Sequence, residues 1–422
     1  MIPPVYGKDG RGIVCEAHET APYPARPGKP VAPQTRQRGN EATRQDRTRR
    51  YDVVQELQAC DLFINIPFTT RAVDALDTNC YANTPPAVKR AYLQAVLAEM
   101  EGFSEEAREL AVTSVTLGGG SASTLPADDL RRLLRGIARA FDTPRDVPVF
   151  ATFDPGLLSI GQALELKAFG SPRIDLRYFT SDAREANLLG CPAPETETKK
   201  TDIVLEHAGI ADIGMHVALG MVGQSEESLL KTLRAARRSS VKRFVLAPVL
   251  PGHTLASSND DAAELYDCAR TWLEQHGFER QGPLRFALEG AENPLEENWY
   301  TNPLSARDHE VLSFGPSTLS CSGGLMWTNT GDIDRYIENC TDPQAITARV
   351  AVLDDVARIQ RDEFATLYRG ESVPFDAERH ERAIENDLLE RTSDEDEALI
   401  KLSSKGCLRY RQAFEQIAAA RP

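Results

Sequence analysis

The sequence predicts an α/β fold: a partial (β/α)6 TIM-like barrel of parallel strands, followed by a mostly helical C-terminal region. Three observations predict it. Between residues 51 and 250, short β-branched runs alternate with stretches of helical periodicity, six times in series. The connections are long enough for the crossover helices that parallel strands require. Several strand ends carry Gly or Pro, as at Gly118–Gly120 and Pro251-Gly252, which marks loops at the end where such folds keep their functional groups.

Residues 61–68 (DLFINIPF) read as the first strand, ending at an Ile-Pro step because proline cannot donate to a ladder. Residues 86–100 repeat apolar side chains at helical spacing. Residues 114–117 form a strand running into Gly118, Gly119 and Gly120. The helix 127–141 opens on Asp128 and Asp129, charges suited to a helix N-terminus. Residues 147–153 are the third strand, with a helix through Ala168. Residues 173–179 are the fourth, before a helix at 201–209. Residues 215–219 precede a helix at 226–239, and 244–249 close the series. Beyond Pro251 a helix spans 260–276, an edge strand is expected at 284–288, and a Trp/Tyr/Ser-rich stretch runs over 298–327. The tail from Thr347 reads as mostly helical and acidic, with DEDE at 394–397 as a solvated run. The expected divisions are an extended basic, Pro-rich arm (1–50), the barrel core (51–256), an extension over its mouth (257–345) and a helical acidic region (346–422).

The arm has seven prolines and ten Lys/Arg against five Asp/Glu, which leaves little to bury. The whole chain of 422 residues carries 48 Lys+Arg against 63 Asp+Glu, a net charge of −15, with 41% hydrophobic residues. That balance suits a soluble protein with a large core and argues against nucleic acid as the main partner, since a phosphate backbone needs a basic footprint. No apolar run is long enough to span a membrane, and the opening MIPPVYGKDG lacks the apolar region of a secretory signal. A cytoplasmic location is expected. The eight cysteines (15, 60, 80, 191, 268, 321, 340 and 407) include no CxxC or CxxxC pair, so they read as reduced thiols and supply no clustered metal site.

Seven segments resemble one motif series: IPF at 66–68, LGGGSASTL at 117–125, FDPG at 153–156, RIDL at 173–176, LEHAGI at 205–210, GMVGQSEESLLKTL at 220–233 and LPGHTL at 250–255. In this order and spacing they are similar to oxygen-independent coproporphyrinogen III oxidase and its haem-chaperone-like relatives in the radical S-adenosylmethionine superfamily. The resemblance covers roughly residues 60–340 and implies that family's barrel. It also exposes departures. The family follows its IPF with CxxxCxxC, which holds a [4Fe–4S] cluster. Here Thr69, Val73 and Leu76 stand at those positions, and Cys80 is offset and alone. No iron–sulfur cluster is therefore expected. Thr152 replaces a glutamate that holds the cofactor's amino group in the family, and Arg177, Tyr178 and Phe179 replace a Gly-Val-Gln that reaches its ribose. Gly118, Gly119, Gly120 and Ser121 resemble the methionine-binding turn; equally, they are what a tight strand-to-loop turn requires.

The strand-end pattern selects candidate site residues. Asp154 reads as a general base or amine ligand, or as a turn residue bonding its own backbone. Arg177 places a guanidinium where the family has glycine, which suits an anionic group, or else a salt bridge to Asp154 or Asp175. Tyr178 and Phe179 should point to opposite faces. His216 reads as a general base or a core histidine, and His253 as a substrate contact. Arg71 and Asp74, on the loop at 69–84, and Trp299 complete the expected substrate-binding set.

The sequence alone is read as a cluster-free, repurposed enzyme doing polar chemistry on a small molecule with an anionic group. The reaction would be S-adenosylmethionine-dependent alkyl or methyl transfer, or a cofactor-independent elimination or ring closure. S-adenosylmethionine is thus a candidate cofactor. The alternatives are a non-catalytic protein that binds a ligand or a protein partner, and a radical enzyme with a relocated cluster.

Overall fold

The first strand, β1 (Ala59–Ile66), is buried along all but its first residue, as expected of a parallel strand covered on both faces. The structure is a computed structural model that describes residues 54, 57–70, 75–76, 80–105, 107, 109–191, 194–237, 241–291, 310–322, 324–352, 355–394 and 397–419. The arm at 1–50 lies outside them. Beyond β1, β2 (Phe68–Thr69) and β3 (Tyr81–Ala82) make a small parallel pair. β4 (Ala111–Gly119), β5 (Pro148–Phe153), β6 (Ser171–Phe179), β7 (Ile213–Leu219) and β8 (Val241–Pro248) follow, each after at least one helix and each parallel to its neighbour.

β9 (Glu279–Gly282) and β10 (Arg285–Ala287) add antiparallel to β8. β11 (Val311–Phe314) extends the parallel sheet on the far side of β1. β12 (Leu319–Ser322), β13 (Leu325–Asn329) and β14 (Thr347–Val352) continue it antiparallel. The strand order is β14-β13-β12-β11-β1-β4-β5-β6-β7-β8-β10-β9. The parallel part is therefore an open, partial barrel with antiparallel edges.

Two of the helices between strands begin on capping boxes. Ser159 with Gln162, and Ser225 with Ser228, form reciprocal capping boxes at the starts of Ile160–Phe169 and Glu226–Ala236, satisfying backbone donors that a helix start leaves open. Their apolar faces meet the outer side of the sheet: Ile174, Leu176 and Tyr178 of β6, and Met215, Val217 and Leu219 of β7, join one large core.

The strand alternation of period two puts a different set on the inner face. On β6 that set is Arg173, Asp175, Arg177 and Phe179. At mid-depth Arg243 of β8 donates to Asp175 Oδ1 from Nε (3.2 Å) and Nη2 (2.8 Å) and also bonds Asp212. It is 4% exposed. Burial works against its charge, and Asp175 and Asp212 outweigh that, holding the guanidinium above its ordinary value. Gly214 on β7 leaves the room: a Cβ there would lie 2.0 Å from Asp175 Oδ1.

The tail departs from its helical expectation. β15 (Val373–Pro374), β16 (Leu389–Asp394) and β17 (Glu397–Leu402) form a three-stranded antiparallel sheet among the helices Asp355–Tyr368, Ala377–Glu385, Ser404–Leu408 and Tyr410–Ala419. Leu389, Ile400 and Leu402 are buried, and Asp394 pairs with Glu397 in this sheet, while residues 395–396 of the acidic run lie outside the described residues. Among the described residues no helix is long and apolar enough to cross a membrane.

Candidate functional site

The C-terminal ends of β1 and β4–β8 converge on one mouth. After β4 the chain turns at Gly118–Ser121. Gly119 has φ +93°, and a Cβ there would sit 1.9 Å from Asn65 Oδ1. At Gly120 a Cβ would fall within 2.6 Å of the carbonyl oxygens of Ile66 and Phe68. The Ser121 N–H donates to the Phe68 carbonyl at 2.8 Å, and Cys80 Sγ donates to the Gly119 carbonyl at 3.0 Å. The glycines thus let β4 pass close against the chain leaving β1, so their backbone freedom is already used within the protein.

Asp154 follows β5 and is held from several sides. Its N–H donates to Ser121 Oγ (3.2 Å) and Ser123 Oγ (3.0 Å), and its Oδ2 accepts from Thr70 Oγ1 at 3.0 Å. Arg177 Nη1 lies 3.6 Å from Asp154 Oδ1. Of the two partners the sequence offered Arg177, the structure selects Asp154, because Asp175 bonds Arg243. Arg177 is 6% exposed, with its guanidinium carbon 5.3 Å from the Phe179 ring centre.

β6 loses register with β7 between Leu176 and Phe179, and such a bulge re-aims side chains. Tyr178 stays in the main core, whereas Phe179 joins a separate apolar cluster with Ala75, Leu189, Ala218, Met221 and Val249. The two face opposite ways, as alternation requires. The Leu250 N–H donates to the Ala75 carbonyl at 2.8 Å, so the segment after β1 is fastened across the mouth at Ala75 and, through Thr70, at Asp154.

His216 is buried on the inner side of β7, between Met215 and Val217 of the outer core. His253 sits on the loop after β8, half-buried, its Nδ1 accepting from the Leu255 N–H at 3.1 Å. Arg71, Asp74 and Trp299 lie outside the described residues. The structure thus brings Asp154, Arg177, Phe179 and the Gly118–Ser121 turn together at the mouth. Thr70, Ser123 and Ala75 belong with them and were not singled out by sequence. Ser123 lies inside the LGGGSASTL segment, the one signal that would have pointed to it.

No family model matches the chain. The haem chaperone HemW of Bacillus subtilis is 22% identical over 289 residues, covering 65% of this chain and 74% of the relative. HemW of Lactococcus lactis is 22% identical over 295 residues, covering 67% and 75%. Coproporphyrinogen III oxidase (HemN) from Escherichia coli, described as a radical SAM enzyme, superposes with a TM-score of 0.68 at 17% identity, covering 88% of this chain and 93% of its own. The chain is thus similar in sequence to the HemW haem chaperones and shares the fold of HemN, a radical SAM enzyme. The loop after β1 carries Thr69, Val73 and Leu76, and Cys80 is its one thiol.

Proposed function

We propose that this chain is a cluster-free member of the superfamily that binds an apolar, carboxylate-bearing ligand at the barrel mouth and performs no radical chemistry. The observation that carries this reading is Arg177 stacked on Phe179 beside Asp154, at the strand end where the family keeps Gly-Val-Gln for the cofactor's ribose.

The donor set does not fit a [4Fe–4S] cluster, which needs clustered thiolates. Cys80 is buried and bonded to the Gly119 carbonyl. Cys60 lies at the opposite end of β1, where burial first, then Asp61 and Glu310, push its thiol well above the usual range. S-adenosylmethionine would meet the Gly118–Ser121 turn, but Thr152 stands where the resemblance implies the amine-binding glutamate, and Phe179, where it implies a ribose contact, packs with Ala75, Leu189, Ala218, Met221 and Val249.

Polar catalysis through Asp154 has less support, because both of its carboxylate oxygens already face partners, Thr70 and Arg177. A binding role remains. A guanidinium is suited to a carboxylate, and an aromatic ring to an apolar body. The curated relatives are named haem chaperones, and haem combines a flat apolar macrocycle with carboxylates. We take a tetrapyrrole-type ligand, handled in the cytoplasm and passed to a protein partner, as the function.

Haem titrated into the protein should bind one per chain by absorbance, and Arg177→Ala should weaken it by roughly tenfold or more, the loss of a charged hydrogen-bonded contact. Unchanged haem affinity in a folded Arg177→Ala, or no binding at all, ends this reading. Anaerobic reconstitution with iron and sulfide should leave the protein without stoichiometric cluster; about four irons per chain with labile sulfide would restore the radical one.

A further inference from the structure

The end of the sheet opposite β14 meets the C-terminal strands at a small polar cavity, and none of the described residues that line it belongs to the mouth. β9 is the last strand of the sheet. Its Arg280, half-buried, lines a cavity of about 210 Å³ together with side chains from the helix Asn259–Gln275, from β16 and β17, and from the helix Ser404–Leu408. Most charges there are already matched. Glu274 takes Arg270 at 3.0 Å, and Glu390 takes Lys401 at 3.1 Å. Asp267, close by, is held by Arg270 (3.1 Å) and by Ser404 Oγ (2.7 Å).

Arg280 is the exception. Among the described residues it meets no carboxylate; its guanidinium donates to the Gly370 carbonyl at 2.8 Å and to Cys407 Sγ at 3.8 Å, and it interacts with the Tyr266 hydroxyl. Gly370, with φ +82°, makes the room, because a Cβ there would lie 2.0 Å from Arg280 Nη2. None of these partners supplies a charge. Burial pushes the Cys407 thiol above its ordinary range, and burial likewise raises the Tyr266 hydroxyl, so both stay protonated. A guanidinium carries more N–H donors than these neutral partners take up.

We propose that this cavity is an anion site for a phosphate-type oxyanion, held by Arg280 with Arg270 and Lys401 alongside. Arginine gains most from a charge-assisted, forked partner. A tetrahedral oxyanion accepts from groups approaching from the sheet edge, the helix and the C-terminal strands together, whereas a carboxylate accepts in one plane. The volume is below that of pockets for drug-sized ligands, which suits a single phosphate group and excludes a tetrapyrrole. The cavity joins the barrel edge to the C-terminal sheet, so its occupant ties the two together.

The test uses the full-length protein and inorganic phosphate at constant ionic strength, read by phosphorus NMR line width and by melting temperature. Phosphate should bind saturably and raise the melting temperature, since a ligand of the folded state stabilises it. Arg280→Gln keeps a donor for the Gly370 carbonyl but removes the charge, and should weaken binding roughly tenfold or more. Glu390→Gln, at a half-exposed position, removes a lining anion and releases Lys401, so binding should tighten by roughly twofold. No saturable binding in the wild type, or unchanged binding in a folded Arg280→Gln, overturns the site. So does unchanged or weaker binding in Glu390→Gln, which decides the matter even where Arg280→Gln does not fold. Competition by glycerol phosphate assigns the group to a phosphate ester, and phosphate binding without that competition assigns the free ion. A phosphate response lost in Arg177→Ala and kept in Arg280→Gln places the ion at the mouth and rejects this cavity. None of these measurements needs haem, so this site and the ligand reading fail separately.

Discussion

Asp175–Arg243 and Asp154–Arg177 are both carboxylate–guanidinium contacts inside the same sheet, yet they are built differently. The first is closed on itself: Arg243 makes two hydrogen bonds to Asp175, a third contact to Asp212, and faces the Phe150 ring at 5.6 Å. The second is more widely spaced. Arg177 stands 3.6 Å from Asp154, Asp154 spends its other oxygen on Thr70, and the covering Phe179 has φ +58°. The inner pair lies within the sheet, with Asp175 on β6 opposite Gly214 of β7 and Gly214 opposite Arg243 of β8. The outer pair lies where β6 slips register and loops begin. A barrel of this kind can carry a tightly hydrogen-bonded ion network at mid-depth and a more widely spaced pair at the mouth.

The largest expected effect tests the mid-depth network. Arg243→Ala strands Asp175 and Asp212 without their cation and should cost about 3–5 kcal/mol in urea denaturation. Arg177→Ala should cost about 1–2 kcal/mol. Equal losses would erase the distinction between the two pairs. Next, Gly120→Ala forces a methyl against two backbone carbonyls and should destabilise by about 1–3 kcal/mol. A neutral result would mean that the turn has slack and that its glycines were kept for a ligand. The smallest stability effect belongs to Asp154→Asn, which keeps a carbonyl acceptor for Thr70 and should cost about 1 kcal/mol or less. It removes the charge competing for Arg177, so haem affinity should rise; weaker binding in a folded Asp154→Asn would make Asp154 a ligand contact and not a competitor.

Much of the barrel was legible because its signals are local. The β-branched runs at β1 and β4–β8 and the amphipathic helices between them follow from periods of two and 3.6 residues, which a sequence displays directly. β11–β14 were not legible: they are short segments of four to six residues, held by pairing with β1 and with each other. The C-terminal strands were hidden as well, the neighbouring acidic run masking the alternation of Ile400 and Leu402. At the site, Arg177 and Phe179 stood out by type and position. Thr70 and Ala75 did not, since neither residue type marks a function and each acts through a contact far along the chain.

By itself the sequence determined the strand–helix alternation, the inward sequence of charges on β6, and the absence of a CxxxCxxC triad after β1, because these depend on residue identity and spacing alone. Only the tertiary structure decided which aspartate each arginine takes. Arg177 had Asp154 and Asp175 within reach along the pattern, and Arg243 lay almost seventy residues downstream of Asp175. Strand order places β8 close enough for Arg243 to claim Asp175, and a buried carboxylate already saturated by one guanidinium has no reason to accept a second. Arg177 is left with the half-occupied Asp154, and the register slip that turns Phe179 over it arises from packing β6 against β7, which no local pattern records.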